Sequence, residues 1–203
     1  MRPSGPLAHL MSQMKQGSGY PKAEPEWLDG ARRGDMRAHA RLYETFAPMV
    51  YTLARRMLVS PTLAEDALQE TFVEVIRSIG TWRGDGEFGL WLRRIAINKC
   101  LMHLRSSWVS RRGEYEDEPE ALPASTDDQL LLERALAALP DTARVVVLLH
   151  DVEGYTHQEI ARLMGRTASF SKSQLARAHD RLRALLADES KETTLCEPAL
   201  KTC

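Results

Sequence analysis

Lys172, Ser173, Gln174, Ala176 and Arg177 fall within six consecutive residues of a segment with helical spacing. Cationic and hydrogen-bonding side chains grouped on the outward first turns of one helix suit the base edges and phosphates of a DNA major groove. An ordinary helical hairpin with a solvated basic face satisfies the same pattern.

The elements that must position these residues lie just upstream. Thr156 and Glu159 have the Thr-x-x-Glu spacing of a capping box, which starts a helix. Ile160, Ala161 and Met164 give that helix an apolar stripe, with Leu163 beside it. The small Ala161 lets a second helix cross close by, and Gly165 supplies the turn. The second helix is predicted to start near Ser169 or Ser171 and to bury Leu175, Ala178 and Leu182. The expectation is a helix-turn-helix. Leu130, Leu131, Ala135, Leu136 and Leu139 begin the same module, Pro140 interrupts it, and VVVLLHDVEG continues as an apolar helix to Gly154.

A separate module precedes it. Leu42, Tyr43, Phe46, Met49, Val50, Leu53, Ala54 and Met57 recur at helical spacing. Pro61 opens a second helix whose stripe is Ala64, Leu68, Phe72, Val75, Ile76 and Ile79, with Gly80 as its stop. The three glycines of Thr81 to Gly89 mark a loop. A third helix follows, with Phe88, Trp91, Leu92, Ile95 and Leu104 on one face and Arg93, Arg94, Asn98 and Lys99 elsewhere. No window alternates like a strand. The predicted fold class is therefore all-α, with two helical domains and a helix-turn-helix in the second. The expected boundaries are a disordered leader over 1–26, domains at 27–108 and 129–187, an acidic flexible linker at 109–128 and a flexible tail over 188–203.

The formal net charge is −1, but the charge is unevenly distributed. Residues 79–112 carry seven Arg or Lys against two acids, residues 113–135 one against eight, and residues 155–187 six against two. Two basic blocks flank an acidic one, and phosphate contacts depend on the local field rather than on the whole-chain sum. No run of about 18 apolar residues exists, so no membrane insertion is expected. The first residues lack the apolar core of a signal peptide, which points to the cytoplasm. Cys100, Cys196 and Cys203 are scattered and suggest no disulfide framework.

No enzyme chemistry stands out. His9, His39, His103, His150, His157 and His179 do not fall at metal-ligand spacing with the cysteines. Asp85 and Glu87 form a loop pair without a supporting base, and there is no Gly-rich phosphate loop or Gly-x-Ser-x-Gly elbow. The expectation is a protein without catalytic residues, metal or cofactor.

The strings AEDALQETF (64–72), TWRGDGEFGLWLRRIAIN (81–98) and LPDTARVVVLLHDVEGYTHQEIARLMG (139–165), in this order and spacing, closely resemble the extracytoplasmic-function (ECF) bacterial sigma factors. The resemblance covers roughly three quarters of the chain. It implies an alternative sigma factor that binds core RNA polymerase, through the β′ coiled coil and the β flap, and directs initiation from promoter DNA. On the matching positions, Asp66, Gln69, Glu70 and Phe72 are implied to dock on the polymerase. Trp82, Arg83, Phe88, Arg94, Asn98 and Lys99 are implied to open and read the −10 element, with a flipped base held by the loop. Lys172, Ser173, Gln174, Ala176 and Arg177 are implied to read the −35 element. The acidic linker matches the segment that threads toward the polymerase cleft, and an anti-sigma partner is implied as well. The commonest family pattern has an arginine where Gln174 stands and a basic residue where His179 stands, so promoter choice is expected to differ. A stand-alone dimeric helix-turn-helix regulator, which binds a palindromic operator unaided, is the alternative.

Overall fold

The computed structural model describes residues 21–84, 86–110 and 128–195, with side chains placed within 21–84, 86–105 and 131–187. The linker between 111 and 127, Asp85 and the end of the tail with Cys196 and Cys203 lie outside the described residues. Two compact units divide the chain between residues 115 and 116. Among the described residues there are helices and no strands.

The N-terminal unit holds α1 (Pro25–Arg32), α2 (Met36–Leu58), α3 (Pro61–Ser78), a 3-10 turn (Ile79–Thr81) and α4 (Phe88–Ser110). Each helix starts on a local signal. Proline opens α1 and α3, where its missing N–H removes nothing. Asp35 caps α2 by accepting from the Arg37 amide at 2.9 Å, and Ser60 caps α3 by accepting from Leu63 at 3.4 Å. Between α2 and α3 the chain reverses within three residues. Val59 has φ +62°, and the Ser60 amide donates to the Leu58 carbonyl at 2.7 Å, a strained γ-turn.

The core of this unit is one stripe from each long helix. Leu42, Phe46, Val50, Ala54 and Met57 of α2 are wholly buried, together with Ala64 of α3 and Leu92 and Cys100 of α4. Burial pushes the Cys100 thiol up to about 12, so it stays protonated and acts as a small apolar residue. The α3 stripe differs from the sequence expectation at one end. Ile76 is 50% exposed, because Phe72 and Val75 already fill the space against α2 and α4. Arg93, expected outside the core face of α4, is buried.

The C-terminal unit holds α5 (Asp128–Ala137), α6 (Asp141–Val147), a π-helical turn (Leu148–Val152), α7 (His157–Met164) and α8 (Ala168–Leu195). Pro140 sits at the N-cap of α6. Behind it, the buried Arg144 donates to the Leu139 carbonyl at 2.8 Å and pairs with Asp141. That cation satisfies the α5–α6 corner from inside. The apolar run after Pro140 is thus not one regular helix to Gly154: its last turn widens to π geometry. Helix α8 starts at Ala168, before the expected Ser169 or Ser171, because Thr167 accepts from the Phe170 amide at 3.1 Å. It also runs to Leu195, past the expected boundary at 187.

Helices α1 and α2 pack so closely that a Cβ on Gly30 meets the Ala38 Cβ at 2.8 Å. Overpacking of this kind costs about 1–3 kcal/mol and outweighs the roughly 0.5–1 kcal/mol of helix propensity that alanine adds. Gly30→Ala is therefore expected to destabilise the N-terminal unit by about 1 kcal/mol. Thermal unfolding followed by tryptophan fluorescence checks this, since Trp27, Trp82, Trp91 and Trp108 all precede the linker.

Candidate functional site

The outward face of α3 carries the first group of implied contacts. Asp66, Gln69 and Glu70 are all exposed. Phe72 is not. It is 7% exposed, and its ring meets Tyr43 edge-on at 4.8 Å, so it belongs to the α2–α3 contact. The apolar part of the face comes instead from Val73 (45% exposed) and Ile76 (50%), which sequence reasoning missed. At about 100° per residue they lie along the line of Asp66 and Gln69. Tyr43 of α2, itself exposed, packs on the neighbouring Phe72.

On its other flank α3 is tied to α4. Lys99 Nζ lies 3.4 Å from Glu74 Oε2, and His103 Nε2 lies 3.4 Å from Glu70 Oε1, the latter without hydrogen-bond geometry. These two pairs are one turn apart on both helices, so they follow the antiparallel register of α3 and α4. Two residues from the sequence list are thus engaged inside the unit: Glu70 faces α4, and Lys99 faces α3.

Around the start of α4 the aromatic residues pack on one another. Phe88 is 4% exposed and touches Phe46, Trp82 and Trp91 with ring centroids 5.1, 5.6 and 5.5 Å away. It therefore offers no stacking surface, because its ring seals the core beneath the loop. Trp82 is half-buried. Arg32 lies 5.2 Å from its ring centroid and donates to its carbonyl at 3.0 Å, so α1 pins the loop. Arg83, Arg94 and Asn98 are exposed. On α4, Arg94, Asn98 and the 56% exposed Met102 follow at four-residue steps.

In the C-terminal unit the helix-turn-helix has the expected parts. Both halves of the Thr156–Glu159 capping box are present, and Gly165 takes the left-handed conformation at φ +64°. Ile160, Ala161 and Met164 are buried against Leu175, Ala178 and Leu182 of α8. Lys172, Ser173, Ala176 and Arg177 are exposed, and Gln174 is half-buried at the edge of the face.

Comparison with known proteins bears on this arrangement. Residues 42–109 match Sigma-70 region 2, and residues 129–182 match Sigma-70 region 4. The chain is 32% identical over 172 residues to the ECF RNA polymerase sigma factor SigM of Mycobacterium tuberculosis, covering 84% of this chain and 88% of that one. The chain belongs to the ECF RNA polymerase sigma factors. It is also 34% identical over 168 residues to the RNA polymerase sigma factor CarQ of Myxococcus xanthus, covering 79% of this chain and 96% of CarQ. The fold resembles that of the sigma factor RpoE from Bartonella quintana, solved with the anti-sigma factor NepR. The TM-score is 0.51 at 21% identity, over 73% of this chain and 96% of that one. The sigma factor is a transcription initiation factor that works with RNA polymerase on promoter DNA, and the region 2 match over residues 42–109 disfavours the stand-alone dimeric regulator.

One cluster in the sigma factor escaped sequence reasoning because its members are far apart in the chain. Asp151 of the π turn receives His179 Nε2 of α8 at 2.6 Å and His150 Nδ1 at 2.7 Å. His150 stacks on His157 at 4.6 Å, and His157 Nδ1 lies 3.0 Å from the buried Ser171 hydroxyl. This chain of contacts fixes α8 against both the π turn and the start of α7. Burial pushes the Asp151 carboxyl up, but hydrogen bonds from His179 and His150 and their charge outweigh it, leaving it below its ordinary 3.8. His157 is held below its ordinary 6.5 by burial, then by the neighbouring His150 and Lys172.

The signs of the two shifts set the acid response. Near pH 6.5 the unfolded chain takes a proton at His157 that the folded unit refuses, so stability falls as pH drops from 6.5 toward the folded value. The contribution of Asp151 is present above pH 3.8 and is lost as pH falls through its lower folded value. His157→Gln is expected to remove the first step and leave the second. His179→Ala is expected to cost about 1–3 kcal/mol at neutral pH, since the buried Asp151 carboxylate loses one of its two partners and keeps His150. Amide hydrogen exchange across Leu175–Leu182 as a function of pH checks both.

Proposed function

We propose that this sigma factor docks on core RNA polymerase through the outward face of α3, with Asp66 and Gln69 as its polar part and Val73, Ile76 and Tyr43 as its apolar part. A polar-apolar ridge of this kind suits a partner helix such as the β′ coiled coil, with arginines meeting the carboxylates and aliphatic side chains covering the rest. The −10 element is read on α4. The Asn98 amide donates and accepts at a base edge, while Arg94 and Arg83 hold phosphates. Trp82 edges the pocket in which a base is held out of the duplex. The C-terminal unit sits on the β flap and places Lys172, Ser173, Gln174, Ala176 and Arg177 of α8 in the −35 major groove. An anti-sigma factor, when one is present, competes for the α3 face. The protein works in the cytoplasm by binding energy alone and catalyses no covalent step.

The observation that carries this reading is the register of α3 and α4. Exposed apolar residues face outward on α3, exposed cationic and amide residues face outward on α4, and the buried stripes of the two helices pack between those faces, with Glu74–Lys99 and Glu70–His103 alongside. Melting DNA on a polymerase requires such a rigid unit, because a flexible link would let the two grips slip past each other.

Ile76→Glu is expected to weaken co-migration with core polymerase by at least about tenfold while changing stability within about 0.5 kcal/mol, since the site is half-exposed. Phe72→Ala, by contrast, opens the core and is expected to cost about 3–5 kcal/mol of stability. Asn98→Ala is expected to cost about 1–3 kcal/mol of −10 discrimination, and Lys172→Ala or Arg177→Ala to weaken −35 engagement. Co-migration with core polymerase and thermal unfolding read the two α3 variants, and run-off transcription on genomic templates, followed by start-site mapping, reads the DNA-face variants. Unchanged transcription by all three DNA-face variants refutes the assignment.

A further inference from the structure

The first turn of α8 carries a residue that the −35 assignment leaves out. Phe170 is only half-buried, although a phenylalanine in a small helical module normally goes to the core. It lies at i−3 from Ser173 and i−7 from Arg177, so all three share one outward stripe. Helix placement enforces this. Thr167 fixes the helix start by accepting from the Phe170 amide at 3.1 Å, and Ser171, Leu175 and Ala178 take the inward positions. The Arg166 guanidinium, in the turn just before the helix, stands 5.7 Å from the Phe170 ring centroid. The ring thus projects from the leading edge of α8 with a cation held above it.

The surroundings select the occupant. Arg166, Lys172, Arg177 and Arg181 are all exposed, and no Asp or Glu occurs between residues 160 and 179. A polyanion fits this surface, and an acid-poor, phenylalanine-tipped edge fits the one apolar group that a major groove displays, the 5-methyl of thymine. Serine and alanine make the rest of the face shallow. Ser173 further returns its hydroxyl to the Ser169 carbonyl at 3.0 Å, so it does not compete for a base at that point.

We propose that Phe170 is a specificity-determining residue that selects a thymine in the −35 element by contact with its methyl group. Arg166, steered by the ring, grips the adjoining phosphate. This rests on the reading of α8 as the −35 helix. Arg166 supplies affinity without sequence preference, and Phe170 supplies preference with little affinity.

The test uses full-length protein assembled with core RNA polymerase on a promoter found by start-site mapping. Each −35 thymine is replaced in turn by deoxyuridine, which removes the methyl and nothing else. At one position the wild-type holoenzyme should lose about fourfold in open-complex formation, the worth of one buried methyl. Phe170→Ala should show the same loss on the thymine template and no further loss on the deoxyuridine one. Phe170→Leu, which keeps an apolar tip, should retain part of the preference. Arg166→Ala should weaken all templates alike and lower the salt slope by about one. If Lys172→Ala and Arg177→Ala impair initiation but no deoxyuridine position matters, or the deoxyuridine and Phe170→Ala effects multiply, Phe170 does not read a methyl and the proposal falls alone. If none of these variants changes initiation, the −35 reading of α8 falls, and the proposal with it.

Discussion

Burial of one stripe on each of α2, α3 and α4 fixes what the N-terminal unit turns outward. A helix has a single circumference, and the residues that close the core leave a definite remainder for partners. Once Leu68, Phe72 and Val75 are committed inward, the opposite side of α3 carries Asp66, Gln69, Val73 and Ile76. Once Leu92, Ala96, Ile97 and Leu101 are committed on α4, Arg94, Asn98 and Met102 remain. The two remainders point away from the shared core, so one rigid unit can hold a protein on one side and nucleic acid on another. The Glu74–Lys99 and Glu70–His103 pairs add little free energy at partly exposed sites, so the buried stripes set the register and the pairs accompany it.

The C-terminal unit solves a different problem. A helix as short as α7 cannot be stable alone, and it owes its place to its ends and its partners. The capping box fixes its start and Gly165 its end, and the Asp151–His179 bond anchors the long α8 on a third element. With α8 held at Asp151 by His179 and at His157 by Ser171, its first turn has a defined orientation. Base reading depends on that orientation, since a displacement of an ångström takes a side chain off a base edge.

Local signals were legible in the sequence, whereas long-range ones were not. The capping box, the glycine turn, the proline starts and the apolar stripes depend on residues within a few positions of each other, and the structure has them. The all-α class and the helix-turn-helix followed from these signals. The misread residues stand at stripe edges. Phe72 and Ile76 are four residues apart, about 40° around a helix, yet the first packs on Tyr43 of α2 and is buried while the second is exposed. Phe88 was a candidate base-stacking residue by type, yet its neighbours Phe46, Trp82 and Trp91 come from three separate segments. The buried Arg144, the π turn and the Asp151–His179 contact depend on tertiary packing, which periodicity does not encode.

The histidine at the centre of the second unit, His179, is bonded to the buried Asp151 carboxylate. The carboxylate it serves is held ionised by two rings rather than by a guanidinium, and the second of those rings, His150, stacks on His157 next to the residue that holds the reading helix. Within this chain of contacts the first step on acidification belongs to His157, held below its ordinary 6.5, whose ring meets Ser171 of α8, whereas Asp151 stays ionised until pH falls below 3.8.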